Sequence, residues 1–277
     1  MFGTLLVFVG TFFGEVSSSI GKYAIRHRIE GLFTLSFADN IWSVVFFFVI
    51  ALAFPGERVL ISASVIALAP LALLNVFQSY VTTRALVAAS RSTFGFVRTG
   101  TIPLVLAADL ALGYGISSTR IVGICIVTLA LLFLYTNHGL DRRGLGWAAV
   151  SAVNGAIGIS LYKWLLTQGN GVAVVQLIQV FCIWAVSLAL ALSKRERPWQ
   201  TLRKPLILAQ SSLVGLDAVL ESYAYVFLPA SVIVALSRSL AVGWCLIFGR
   251  LAFHEKHLWI KAVGGVGIVV GIICLAL

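Results

Sequence analysis

The chain has 277 residues, 60% of them apolar and 11% charged, with twenty lysines and arginines against ten acids. A soluble domain carries about 25% charged residues, so this sequence lacks the polar surface to cover itself in water. Its net charge of +10 is scattered through short breaks between apolar runs, which reads as membrane-surface charge and argues against a nucleic-acid partner.

Taken in chain order, apolar runs fall at 2–20, 37–53, 60–81, 93–112 and 121–135. The second half adds 145–166, 172–192, 206–227, 231–248 and 258–277. A helical span needs about 20 apolar residues, and helices satisfy their own backbone in hydrocarbon. The expectation is therefore an all-α integral membrane protein of ten transmembrane helices. The first run lacks a basic segment before it and a small-residue cleavage pattern after it, so it reads as a retained helix. Trp42, Trp147, Trp164 and Trp259 fall near run ends, where aromatic belts sit. The four cysteines lie inside apolar runs without metal-ligand spacing and read as packing residues.

Basic residues sort by loop parity. Fifteen of the twenty lie in odd-numbered loops and three, Arg58, Arg120 and Lys163, in even-numbered ones. The positive-inside rule then places the odd loops in the cytoplasm and both termini outside. The expected location is a cell membrane of the bacterial inner-membrane type.

The halves echo one another. Gln78-Ser79-Tyr80 matches Glu221-Ser222-Tyr223, and Ser19-x-x-Lys22 matches Ser160-x-x-Lys163. Arg98 lies 140 residues before Arg238, and Gly123 lies 141 before Gly264. Five spans per half is an odd number, so residues 1–140 and 141–277 are expected as two inverted five-helix repeats within one membrane domain. Inverted repeats are a recurrent transporter architecture, with the binding site at the midplane between them.

In these features the chain resembles the EamA-like ten-helix members of the drug/metabolite transporter superfamily. The resemblance rests on the run from Tyr223-Ala224-Tyr225 to Pro229-Ala230-Ser231, on His254-Glu255-Lys256, and on Gly264-x-x-Gly267-x-x-x-Gly271. The first repeat keeps Ala88-Ala89-Ser90 and Pro103, but has Gly115-Ile116-Ser117 where the family often has Gly-Glu. The resemblance implies an alternating-access carrier with a central cavity lined largely by spans 3, 4, 8 and 9. Such proteins are usually drawn with both termini cytoplasmic, whereas the charge count here argues the reverse.

Ionisable groups inside a span cost about 2.5–3.5 kcal/mol each on insertion scales, so each is a functional hypothesis. Glu15, Arg98, Asp109, Asp217, Glu221 and Arg238 qualify. Asp217 and Glu221 stand one helical turn apart and, with Gln210, form a polar stripe, an arrangement suited to proton coupling or to pairing with Arg238. Arg98 and Arg238 can each fork two hydrogen bonds to a carboxylate or phosphate. Alternatively, each can pair with an acid, Glu15 for Arg98 and Glu221 for Arg238. Asp109 is about 16 Å along the helix from Arg98 at about 1.5 Å per residue, nearer the outer interface. Asn75, Gln78 and Thr82 stripe the third span, and Thr11, Glu15 and Ser18 the first, serving either a cavity or helix packing. Tyr80, Tyr223, Trp184 and Trp244 are candidates for stacking on a ring-bearing substrate, or for plain packing.

The sequence therefore points away from an enzyme and towards a secondary transporter, an exporter by family habit. Its cargo would be a small metabolite such as an amino acid or another organic anion. Substrate contacts are expected from Arg98, Arg238, Gln78, Asn75, Tyr80, Tyr223 and Trp244, and coupling or ion pairing from Asp217, Glu221 and Glu15. No cofactor or metal is expected; lipid surrounds the chain, protons are a candidate coupling ion, and the carrier is a monomer or a homodimer. Two other classes stay open: an intramembrane enzyme or flippase acting on a lipid-linked substrate, and a structural membrane protein.

Overall fold

The computed structural model describes residues 2–27, 31–111, 118–137, 142–228, 230–253 and 258–276. The family-like residues Gly115, Ile116, Ser117, Pro229, His254, Glu255 and Lys256 lie outside them. Helices run in the order α1 (Phe2–Arg26), α2 (Leu32–Ala53), α3 (Val65–Ala88), α4 (Arg91–Arg98), α5 (Thr101–Ala111) and α6 (Ser118–Thr136). They continue as α7 (Leu145–Thr167), α8 (Val172–Ser193), α9 (Pro198–Thr201), α10 (Pro205–Phe227), α11 (Ala230–Phe253) and α12 (Leu258–Ala276). Among the described residues the regular structure is helix alone.

Among the described residues, five segments, four within α1, α2, α7 and α8 and one from Ser62 to Ala85 of α3, are long and apolar enough to cross a bilayer. The outer surface carries Phe48, Ile66, Leu73, Leu129 and Trp259, all largely exposed. Such a surface is costly in water and costs nothing against hydrocarbon. The fold thus has the build of a membrane protein.

Several boundaries depart from the apolar runs, three of them in ways that shape the fold. The run at 93–112 is two helices, α4 and α5, broken at Thr99 and Gly100. Pro103 in the first turn of α5 has no N–H and would crowd the carbonyl of residue 99, so a continuous helix is disfavoured there. The third run begins instead with a 3₁₀ turn, Ser62–Ser64, preceded by another at Pro55–Arg58, and its long helix starts only at Val65. The second helix starts at Leu32, a turn before the apolar run. There the amide and hydroxyl of Thr34 donate to Glu196 Oε2, at 2.9 and 2.5 Å.

Packing pairs elements from the two halves of the chain: α1 with α10, α2 with α8, α3 with α7, α6 with α12, and α4 with α11. Glycines permit the closest approaches. A Cβ on Gly215 would lie 2.9 Å from the Phe46 ring, and one on Gly271 would lie 2.8 Å from Val127 Cγ2 and 3.0 Å from the Gly123 carbonyl. Gly267 faces Ala130 of α6 in the same way.

The α2–α8 pair is closed reciprocally at its two ends. Glu57, after α2, accepts the amide of Ala173 in the first turn of α8 at 2.8 Å. Glu196, after α8, accepts the amide of Thr34 in the first turn of α2. A carboxylate at a helix N-terminus satisfies an orphan N–H and opposes the helix dipole. The Glu57 end is knitted further: Gly171 donates to the Val59 carbonyl at 2.8 Å, and Asn170 accepts from the Ile61 amide and donates to Ser64 Oγ.

Candidate functional site

Towards the middle of the long helices, α3, α4, α7, α8, α10 and α11 surround a cavity of about 300 Å³. Its charged lining is Arg98, Arg238, Asp217 and Glu221, and its amide lining is Asn75, Gln78, Asn154, Gln176 and Gln179. The break after α4 sets Arg98 at a helix C-terminus, where a cation opposes the dipole; its guanidinium lies 5.2 Å from the Phe94 ring centre. Asp217 projects from α10 towards α1 at Gly10 and Gly14. A Cβ on Gly14 would collide with its carboxylate, so the glycine is what admits the acid. Asp217 lies within electrostatic range of Glu221, Glu15, Arg98 and Arg238.

Glu221 and Arg238 are not an ion pair among the described residues. Glu221 Oε1 instead accepts the Ser237 hydroxyl of α11 at 2.6 Å. Arg238 keeps a buried Nε–H with no hydrogen-bond partner in the protein. A buried unmet donor on a guanidinium is costly, and a cavity wall is where an incoming anion could satisfy it.

Gln78 and Asn75 both line the cavity and tie helices together. Gln78 Nε2 donates to Ser151 Oγ at 2.9 Å and Thr82 Oγ1 at 3.1 Å, while its Oε1 accepts from Asn154 Nδ2 at 2.8 Å. Asn75 Nδ2 donates to Gln179 Oε1 at 2.6 Å. These bonds bind α3 to α7 and α8.

The four aromatic candidates lie elsewhere. Tyr80 packs against Phe33 and Trp147, beside Arg84. Tyr223 sits near Glu57 at the other end of α10. Trp244 packs on Phe8 and Phe12 of α1. Trp184 likewise stacks on Phe37 and Phe181. Helical spacing carries Tyr80, Trp184 and Trp244 onto ring contacts with neighbouring helices and leaves Tyr223 beside Glu57, all away from the cavity. The aromatic lining comes instead from Tyr162 and Tyr225, edge to face with ring centres 5.4 Å apart. Tyr225 also borders a second pocket beside Glu57 and Lys163, and Lys163 Nζ donates to the Tyr225 carbonyl at 3.2 Å. The two tyrosines therefore stand between the arginine-lined cavity and the Glu57 end of the molecule. Asp109 belongs to α5 by its backbone, and its side chain is outside those described.

A larger chamber of about 440 Å³ adjoins the first and shares Asn75, Gln78 and Val214 with it. It lies between the later turns of α1 and α3 and the early turns of α2 and α10, reaching Val87 in the last turn of α3. Its polar lining includes Ser17, Ser18, Asn40, Ser79, Thr82, Thr83 and Gln210, and Asp39 is its one charged group among the described residues. Sequence reading missed Asp39. It stands two residues inside the apolar run that begins at 37, where an interfacial acid is unremarked; the early start of α2 carries it deeper.

No family model matches the chain, and no curated protein matches it. One solved structure, described only as a crystal structure of protein, aligns over 98% of this chain and 95% of its own. The TM-score is 0.64 at 14% sequence identity, so the two share a fold.

Proposed function

We propose that this chain is a secondary carrier of the EamA-like drug/metabolite transporter type, moving a small metabolite with an anionic group by alternating access. In this reading ten spans form two inverted five-helix repeats, with α4 and α5 together making the fourth span. Equivalent contacts recur at near-constant intervals and support the repeat. Glu57 to Glu196 and Thr34 to Ala173 are each 139 positions, so the two carboxylate-to-amide contacts are counterparts. Gly14 to Gly155 is 141 positions and Gln78 to Asp217 is 139, and Gln78 faces Gly155 as Asp217 faces Gly14. On this register the counterpart of Gln78 is Asp217, whereas the tripeptide match would pair it with Glu221.

The observation that carries the reading is the Arg238 Nε–H, buried, unpartnered and set in the wall of a cavity that also holds Arg98. The cavity suits a ligand of amino-acid size, whose carboxylate Arg238 would receive through a bidentate fork. Asp217 and Glu221 are the groups placed to carry a coupling proton. The basic odd loops place both termini outside the cytoplasm. The test is uptake into proteoliposomes across a panel of amino acids and small organic anions. Saturable uptake of at least one, lost in Arg238→Gln, is expected; uptake indifferent to that change, or none across the panel, would overturn the reading.

A further inference from the structure

We infer that the larger chamber is a binding site for the ammonium group of a small organic amine, held by Asp39 and Gln210. The argument begins with the hydrogen-bond inventory. Gln210 Nε2 donates to Asp39 Oδ1 at 2.8 Å, which consumes the amide's donor on that side. Gln210 is 2% exposed, and its Oε1 is buried with no hydrogen-bond partner. Asp39 has no ion pair among the described residues. Two acceptors here thus go unfilled by any donor of the protein, the second carboxylate oxygen and the spare amide oxygen. An ammonium group offers three donors and no acceptor, and so complements them.

Helix pairing alone does not account for an acid at this position. The α2–α10 contact is already held by the Ser211 hydroxyl donating to the Ala38 carbonyl and by Gly215 against Phe46. Asparagine would accept the same bond from Gln210 without the cost of a charge within a span. Gly21 of α1 leaves the room for the Gln210 amide, since a Cβ there would lie 2.8 Å from Nε2. The space also speaks to ligand size. A chamber of about 440 Å³ is far larger than a dehydrated metal ion needs, and the neighbouring groups are hydroxyls and amides rather than further carboxylates. Ser17, Ser18 and Asn40 supply the polar surroundings of an organic cation. This site does not depend on the carrier reading, because binding can be measured without transport.

The test is thermal unfolding of the purified protein in detergent, titrated with n-butylammonium chloride at constant ionic strength. Sodium chloride and sodium butyrate serve as controls. Wild type should be stabilised saturably by the amine alone. Asp39→Asn keeps the Gln210 hydrogen bond and should fold, but its affinity should fall about tenfold to a hundredfold, the loss of one charge-assisted bond. Trp259→Leu, on the exposed outer surface and in neither cavity, should bind the amine as wild type does. A second readout guards against a misfolded variant: Ser18→Cys in a background without the native cysteines, labelled by cationic and anionic methanethiosulfonates. The cationic-to-anionic rate ratio should drop about tenfold when Asp39→Asn is added. No stabilisation by the amine, equal stabilisation by sodium chloride, or equal affinity and label ratio in Asp39→Asn would each overturn the site.

Discussion

The two adjoining chambers share a wall of Asn75, Gln78 and Val214 but differ in charge and in how their polar groups are satisfied. The cavity around Arg98 and Arg238 mixes two arginines with two carboxylates, and its unmet groups are the Arg238 Nε–H and the Tyr162 hydroxyl, both able to donate. The larger chamber has a single acid among its described lining, and its unmet group is an acceptor, Gln210 Oε1. The shared amides contrast with both, being nearly saturated between helices. The lesson is that polarity alone does not mark a site in a membrane bundle. Buried amides that satisfy one another hold helices together, whereas a buried polar atom without a partner at a cavity wall is available to a ligand.

The largest expected effect follows from filling the space between α1 and α10. Gly14→Leu would drive a side chain into the Asp217 carboxylate and should abolish transport and lower the unfolding temperature. Gly14→Ala is the graded form, costing about 1–3 kcal/mol by overpacking. Adding Asp217→Ala should recover much of that loss, and a failure to recover would move Asp217 away from Gly14. Next in size is the carboxylate pair. Asp217→Asn and Glu221→Gln remove titration while keeping shape, so each should flatten the pH dependence of uptake. Wild-type pH profiles in both variants would remove them from coupling.

Smaller effects separate scaffold from site. Glu57→Gln and Glu196→Gln each remove a charged contact at a helix N-terminus, worth about 0.5–2 kcal/mol. If the two ends are counterparts, the losses should be similar. A loss at one end alone would break the symmetry. Cysteine labelling of the Glu57 and Glu196 loops from outside whole cells tests their sidedness, with the Glu57 loop expected to react and the Glu196 loop to be protected. The smallest effects belong to Tyr80→Phe and Trp244→Phe, which should leave apparent KM within about twofold because neither ring borders the arginine-lined cavity.

Much of this was legible in the sequence. Long apolar runs locate α7, α8, α10 and α12 closely, since nothing but helix serves there. Gly267 and Gly271, spaced one helical turn apart in the last run, fall at a close contact with α6. Arg98, Arg238, Asp217 and Glu221 stand out as charges too costly to bury idly, and the fold brings all four to one cavity. The rest depends on contacts remote in sequence. Glu196 fixes where α2 begins from 162 residues away, and with that start goes the depth of Asp39. The roles of Tyr162 and Tyr225 could not be told from those of Tyr80 and Tyr223, because spacing along one helix does not say which partner helix a ring will meet. The α4–α5 break had a local signal in Pro103, outweighed by the continuous apolar run.

The account turns on Arg238 being held for a ligand and not for a neighbouring helix. The direct measurement is uptake kinetics and thermal unfolding for wild type, Arg238→Lys and the Glu221→Gln/Arg238→Gln pair. Lysine keeps the charge and loses the planar fork. Apparent KM for the transported substrate should therefore rise about tenfold or more in Arg238→Lys, with the unfolding temperature nearly unchanged. An unchanged KM, together with a stability loss in Arg238→Gln that the added Glu221→Gln repairs, would contradict the account and make Arg238 a structural partner of Glu221.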